Sequence, residues 1–364
     1  MKASLIGENL SGRETVFRAL TGSTPSTVQG DTRLGEALVQ DERLDNLSSI
    51  YQPRKHTPAR LELTLPKPLG VGRETVKSSL EKVRDSDCLL LVLRNFPSDK
   101  APDPKAEASF FLSELMVADY LTVTKRLERL SEEKKRGKPN DPMEVESLTE
   151  ALELLESEKP LRDAPKIAKS PKLRGYGLLS AKPILILLND PDDFNEQNNP
   201  DNPDEPGNSD NSGNSDDAPN KPGPLQDLGQ NIPVLRLRGR LEEEFSRLTS
   251  EEASEFMADY GLTELAAARV IRTLYRLNDL VSFFTVGDDE CRAWTVNRGD
   301  TALVAAGRIH SDIQKGFIRA EVVSYEDFKA SGSMAEAKKK GLVRLEGKNY
   351  IINDGDIVLF RFNV

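Results

Sequence analysis

Residues Gly7 to Thr15 read GENLSGRET, with glycines at positions 7 and 12 and a charged pair, Arg13 and Glu14, directly after the second. This is close to the pattern G-x-x-x-x-G-K-[ST], in which loop amides and a lysine hold phosphate groups and a hydroxyl ligates Mg²⁺. The glycine spacing fits phosphate-cradling chemistry. The two chemically decisive positions do not: Arg13 stands where the lysine belongs and Glu14 where the hydroxyl belongs. A second candidate lies far away, where Asn189, Asp190, Pro191 and Asp192 end a continuous apolar run with an amide and two carboxylates. Neither cluster identifies a reaction alone, so the elements that position them carry the argument.

Ala3 to Ile6 is a short apolar run ending at Gly7, and a helical pattern resumes at Thr15 with Val16, Phe17 and Leu20 on one face. The loop therefore joins a strand to a helix. Val76, Leu80 and Val83 fall at i, i+4, i+7 and lead into the apolar run Cys88 to Leu93; Pro183 to Leu188 and Ile232 to Leu237 are further such runs. Apolar runs alternating with helices predict an α/β fold whose mostly parallel sheet is buried on both faces. Residues 111 to 165 have helical spacing and dense charge, and predict two antiparallel helices joined by GKPNDP. A solvated face is the ordinary reading of their lysines and arginines. Helices are expected over 250–260 and 262–280, and from Val281 the runs SFFTV, CRAWTV, FIRAEVV and DIVLFRF predict a compact α+β module. Alternation makes Trp294, Phe317 and Tyr325 packing residues there, and His310 structural.

The 364 residues suit two to three domains. The net charge of −10 sits almost wholly in residues 189–224, where ten acidic residues face only Lys221, so the rest is close to neutral. Pro191 to Pro224 consists mostly of Asn, Asp, Pro, Gly and Ser and is expected to be disordered, since it offers little apolar surface to offset chain entropy. Its acids lack the spacing of an ordered calcium loop. Cys88 and Cys291 form no disulfide framework, which suits a reducing compartment. No long apolar segment opens the chain or follows, so a cytoplasmic protein with no membrane contact is expected.

Three C-terminal segments, FFTVGDDECRAWTV, IHSDIQKGFIRAEVVSYEDF and RLEGKNYIINDGDIVLFRFNV, closely resemble the signature of the YchF or Obg-like ATPase family. With these in hand, GENLSGRETVFRALT resembles that family's GLPNVGKSTLFNALT. DERLDNLSSIYQPRKHTP, ELMVADYLTVTKRLER, KPILILLN and EFMADYGL extend the resemblance over nearly all of the chain outside the acidic segment. It implies the Obg class of the TRAFAC P-loop GTPase superfamily: a Rossmann-like P-loop NTPase domain with a helical coiled-coil insertion, and a C-terminal TGS domain of ubiquitin-like β-grasp fold. The implied limits are 1–110 with 181–249 for the nucleotide domain, 111–180 for the insertion, 191–224 for the acidic linker, 250–280 for connecting helices and 281–364 for the TGS domain. ATP or GTP with Mg²⁺, slow hydrolysis, and association with the ribosome or a translation factor, rRNA included, are implied likewise; a DNA partner is not.

By resemblance the nucleotide-binding positions are Gly7, Gly12, Arg13, Glu14, Thr15, Asn189 and Asp192, with no residue assigned to catalysis and the metal ligands left unassigned. Departures from the family pattern cluster here. At the D-x-A-G switch, Leu65 replaces the aspartate and Pro68 the glycine, and proline has no N–H to offer a phosphate. The loop that presents small residues to the base reads Arg238, Gly239, Arg240. Phosphoryl transfer depends on cations and donors set against developing charge. The expectation is a divergent, degenerate member: a weak or inactive NTPase, a pseudo-GTPase that works by binding. A slow enzyme with a rearranged Mg²⁺ site is the alternative, as is a protein-interaction scaffold in which Glu14 pairs with Arg13, Arg238 or Arg240.

Overall fold

The computed structural model describes residues 1–22, 26–67, 80–98, 101–192, 225, 232–260, 262 and 264–363. Two compact units result, one of Met1–Leu34 with Leu63–Ala266, the other of Gly35–Glu62 with Ala267–Val364.

The first unit is built on β1 (Lys2–Ile6), α1 (Arg13–Thr21), the hairpin β2 (Thr27–Gln29) and β3 (Thr32–Leu38), then α2 (Glu42–Tyr51), β4 (Lys55–Thr57), β5 (Arg60–Pro66) and β6 (Cys88–Arg94). Of these, α2, β4 and the adjoining parts of β3 and β5 count with the second unit. After β6 come α3 (Pro104–Lys135), α4 (Pro142–Glu156), α5 (Pro165–Ala168), β7 (Ile184–Asn189), β8 (Val234–Leu237), α6 (Gly239–Phe245) and α7 (Ser250–Asp259). The sheet order is β2-β3-β5-β1-β6-β7-β8, with β1–β6, β6–β7 and β7–β8 parallel. Strands β6 and β7 are buried on both faces, the burial expected of continuous apolar runs in a parallel sheet. The expected helix through Val76 falls largely outside the described residues, although Leu80 and Val83 are buried.

The long helix starts earlier than the expected 111. Asp103 caps it, accepting the Ala106 N–H at 3.0 Å, and Pro104 occupies the first turn, where a missing N–H costs nothing. Its first turns bury Phe111 and Leu115 against the sheet with Leu91, Ile186 and Leu188. Its later turns, Val123 and Leu130, pack instead on Leu148, Ala151 and Leu155 of α4 in a separate cluster. One helix thus serves two cores. The joint between them is Asp119, fully buried, which accepts the N–H groups of Leu179 and Ser180 at 2.8 and 2.6 Å and the Ser180 hydroxyl at 2.7 Å. Of the stretch 191–224 expected to be disordered, Pro191 and Asp192 are described and residues 193–224 lie outside the described residues.

The second unit continues with α8 (Ala266–Leu277), β9 (Leu280–Thr285), β10 (Glu290–Asn297), α9 (Ala302–Ile309), α10 (Ser311–Lys315), β11 (Phe317–Ser324), α11 (Tyr325–Ser331), α12 (Met334–Lys339), β12 (Arg344–Glu346) and β13 (Asp356–Phe362). Its sheet runs β12-β11-β13-β9-β10-β4, with β13 and β9 parallel at the centre. Phe283, Phe317 and Phe360 fill the core with the alanines of α9. Trp294 stacks on Phe283, Tyr325 is buried, and the His310 Nδ1 caps α10 by accepting the Asp312 N–H at 3.2 Å. Those aromatic and histidine positions are packing and capping groups.

Candidate functional site

The loop between β1 and α1 is held tightly. Gly7 has φ 146° and Gly12 φ 88°, conformations that side chains rarely adopt. A Cβ on Gly7 would lie 2.4 Å from the Val92 carbonyl oxygen, and one on Gly12 would lie 2.0 Å from Asn189 Nδ2. The second glycine is therefore required by close approach to β7, as well as by its backbone angles. Between the glycines Glu8, Asn9 and Leu10 face solvent, whereas the Ser11 hydroxyl is buried with no hydrogen-bond partner.

Asn189, at the end of β7, is the clamp. Its Nδ2 donates to the Ser11 carbonyl at 3.1 Å, and its Oδ1 accepts the Gly239 N–H at 2.9 Å. Both ends of the amide are used, which ties the glycine loop to the start of α6. The next residue, Asp190, has a fully buried carboxylate that takes both donors of Arg236 at 2.9 Å and Asn95 Nδ2 at 2.5 Å. Asp192 is half exposed, 3.9 Å from Arg240 Nε. Arg238 is buried, with its guanidinium over the Tyr260 ring at 5.9 Å.

The two charges after Gly12 point in opposite directions. Arg13 is only 5 % exposed and turns inward, its Nη1 at 3.5 Å from the carbonyl oxygens of Leu5 and Pro66 at the ends of β1 and β5. Burial pulls the guanidinium down to about 10, with the charge of Glu14 acting against the shift. Glu14 turns outward and meets Arg18, one helical turn on, at 3.6 Å. Arg18 also donates to both Glu243 oxygens at 2.8 and 3.1 Å. The scaffold alternative had Glu14 pairing with Arg13, Arg238 or Arg240; the partner is Arg18, because helical geometry brings i and i+4 together. Thr15 is half-buried in the first turn, Leu65 is buried at the end of β5, and Pro68 lies outside the described residues.

These residues fit a phosphate group better than they fit a metal ion. The glycine cradle is present, and the unpartnered Ser11 hydroxyl lies in the same loop. Of the two positions that the family resemblance associates with Mg²⁺, Leu65 carries no ligand atom and the Glu14 carboxylate is directed to Arg18.

Sequence reading did not find Glu107. On α3, its Oε1 accepts the Glu8 N–H at 3.4 Å, so the long helix touches the outside of the glycine loop. Burial, then the charge of Glu8, push this carboxyl up to about 7, against hydrogen bonds from the Glu8 and Arg94 backbone. A raised carboxyl pKa stabilises the fold below the ordinary value of 4.5, and the stabilisation fades as pH rises through about 7. We expect Glu107→Gln to flatten stability against pH over this interval, read by thermal melts; an unchanged profile would show that Glu107 does not titrate there. No sequence signal pointed to it, because the expected helix begins at 111 and Glu107 lies before it.

A glycine loop leaving the first strand of a parallel sheet, entering a helix, and clamped by an asparagine from a parallel strand defines the P-loop NTPase fold. Here that fold carries a helical insertion between β6 and β7 and is followed by a C-terminal domain. The family model YchF-GTPase_C, described as a protein of unknown function (DUF933), matches residues 280–363. The "Ribosome-binding ATPase YchF" of Bacillus subtilis is 34% identical over 380 residues, covering 100% of both chains. That of Haemophilus ducreyi is 32% identical, covering 100% of this chain and 99% of its own. A solved structure, the YchF GTPase of Schizosaccharomyces pombe, superposes with a TM-score of 0.80 at 25% identity, covering 99% of this chain and 97% of the other. The chain belongs to the YchF family.

Proposed function

We propose that the protein is a ribosome-associated nucleotide-binding member of this family in which hydrolysis is weak or lost. Relatives matched over their full length carry the name ribosome-binding ATPase, which supports both halves of the association. In this reading Gly7, Gly12 and Thr15 hold the phosphates of ATP or GTP, Asn189 supports the base side, and Asp192 stands as the shorter base-reading acid. The nucleotide domain is 1–110 with 181–249, the hairpin 111–180 its insertion, 250–280 the connector, and 281–364 a TGS domain of β-grasp type; the protein works in the cytoplasm. The parallel central pair β13–β9 supports the β-grasp assignment of the C-terminal domain.

One observation carries the reading of weak turnover: Arg13 points into the protein and Glu14 away from the loop. A phosphoryl group on the glycine loop gains little from either charge, and electrostatic placement supplies most of the catalysis in such sites. Mg²⁺ is the family's cofactor, and the side chains here give it poor support. Titration with fluorescent ATP and GTP, with and without Mg²⁺, tests this. We expect binding that Mg²⁺ hardly changes, and a gain of Mg²⁺-dependent affinity of about tenfold, or ~1.4 kcal/mol, in Glu14→Ser. Micromolar Mg²⁺-dependent binding by the parent chain, with turnover abolished by Glu14→Ala, would establish an active enzyme with a rearranged metal site instead. Absence of co-sedimentation with ribosomes at low salt removes the association.

A further inference from the structure

The outer side of the glycine loop is braced by a carboxyl group to which the nucleotide reading gives no role. Glu107 lies in the first turn of α3, after the Asp103 cap, and its Oε1 accepts the Glu8 N–H at 3.4 Å. Glu8 directly follows Gly7, so the amide that Glu107 takes belongs to the loop itself. The brace has little freedom. Phe111 and Leu115, one and two turns further on, fix α3 to the sheet core with Leu91 and Ile186. On the loop side, the Ser11 carbonyl is held by Asn189 and Gly7 is pressed against the Val92 carbonyl. A half-buried carboxyl is thus confined between two anchored pieces of backbone.

The charges around it favour the neutral form. Glu8 brings a second carboxylate from the loop, and Arg94 is the cation that acts from the end of β6. The Arg94 guanidinium is directed along its own chain, to the Phe96 carbonyl at 3.3 Å and the Ser98 hydroxyl. On α3 itself, Asp103 is occupied by the Ala106 N–H and Lys105 is exposed. Burial first and Glu8 second raise the carboxyl to about 7, against hydrogen bonds from the Glu8 and Arg94 backbone and the Arg94 charge.

A neutral carboxyl keeps its carbonyl oxygen and still accepts the Glu8 N–H, so protonation leaves the brace in place and removes only its charge. A phosphate group in the loop adds negative charge beside Glu107 and favours the neutral form, as a nearby like charge does. Linkage makes the effect reciprocal: an ionised Glu107 weakens the hold on phosphate.

We propose that Glu107 is a positioning residue of the nucleotide site that takes up a proton when phosphate enters the glycine loop, so that nucleotide affinity falls as the solution turns alkaline; the proposal rests on the nucleotide-binding reading above. The sign follows from the raised carboxyl. Below the free protein's titration the group is neutral with or without nucleotide, and affinity is at its highest. If phosphate raises the carboxyl's pKa by about one, affinity drops about tenfold as pH rises through the titration and then levels off.

The test titrates the full chain, Glu107→Gln and Glu8→Gln with fluorescent ATP and GTP between about pH 5.5 and 9. Terminal phosphates of the nucleotide titrate in the same interval, so the readout is the difference between proteins. At the acid end, where the parent carboxyl is neutral, Glu107→Gln should match the parent in melting temperature and in affinity. At the alkaline end the parent should bind about tenfold more weakly than Glu107→Gln. Glu8→Gln removes a charge that favours the neutral carboxyl, so its fall should come at lower pH than the parent's. Calorimetry in two buffers of different ionisation enthalpy should report proton uptake on binding by the parent that exceeds the uptake by Glu107→Gln. Binding with the same pH profile in the parent and Glu107→Gln overturns the proposal and leaves the nucleotide reading intact. A Glu107→Gln variant weaker by one constant factor at every pH gives the residue a structural role alone and overturns it too. Absence of nucleotide binding by the parent at every pH removes both.

Discussion

Asp119→Ala is expected to destabilise the first unit by about 3–5 kcal/mol, the range for removing one side of a buried charged network. The carboxylate is fully buried and accepts three short hydrogen bonds from Leu179 and Ser180, with Arg84 Nη1 at 3.5 Å. Alanine leaves two backbone N–H groups and a hydroxyl without acceptors, each costing about 1–3 kcal/mol. Arg84 loses one of two charge partners, while its pair with Glu81 at 2.8 Å and its bonds to the Gly177 carbonyl and the Thr122 hydroxyl remain. Burial raises the Asp119 carboxyl, while those same hydrogen bonds and Arg84 pull it back. The damage falls at the joint between the sheet core and the hairpin core. Thermal melts should show a fall on the order of 10 °C, and hydrogen exchange should open residues 176–182 first. A melting temperature within a degree or two of the parent's would mean that Asp119 does not fasten this joint.

The second large effect is at the clamp. Gly12→Ala places a methyl group 2.0 Å from Asn189 Nδ2 at a backbone angle of φ 88°. Asn189 has no easy retreat, because its two ends are bonded to Ser11 and Gly239. Backbone strain of about 1–3 kcal/mol and overpacking of a similar size combine to roughly 2–5 kcal/mol. Loss of the cradle should also abolish nucleotide binding. Asn189→Ala alone removes two hydrogen bonds and leaves the Gly239 N–H unpaired, for about 1–3 kcal/mol. In the double variant the obstruction is gone, so only the backbone strain at position 12 adds to the cost of losing Asn189. Denaturant melts of the four proteins should therefore show a coupling of about 1–2 kcal/mol. Strict additivity would sink the clamp.

The elements that position the site were legible because their signals are local. The glycines at 7 and 12 and the apolar runs of β1, β6, β7 and β8 each act within a few residues. The stretch from 27 to 66 went unread beyond its family match and the Leu65 departure, since its strands are short and partly exposed and lack a continuous apolar run. Glu107 and the Asp190–Arg236 pair were missed as well. A charged residue in a helix or beside a strand end looks solvated until the chain brings its partner from far along the sequence.

The amino-acid order by itself determined the family, the glycine loop, the exchanged residues at 13, 14 and 65, and the alternation of strand and helix that makes a parallel sheet. Only the tertiary structure decided where the exchanged charges point. Arg13 lies inward because the carbonyl ends of β1 and β5 converge beneath it, and Glu14 lies outward because the helix carries it to Arg18. Side-chain direction depends on packing between segments distant in sequence, and no residue encodes its distant neighbours alone.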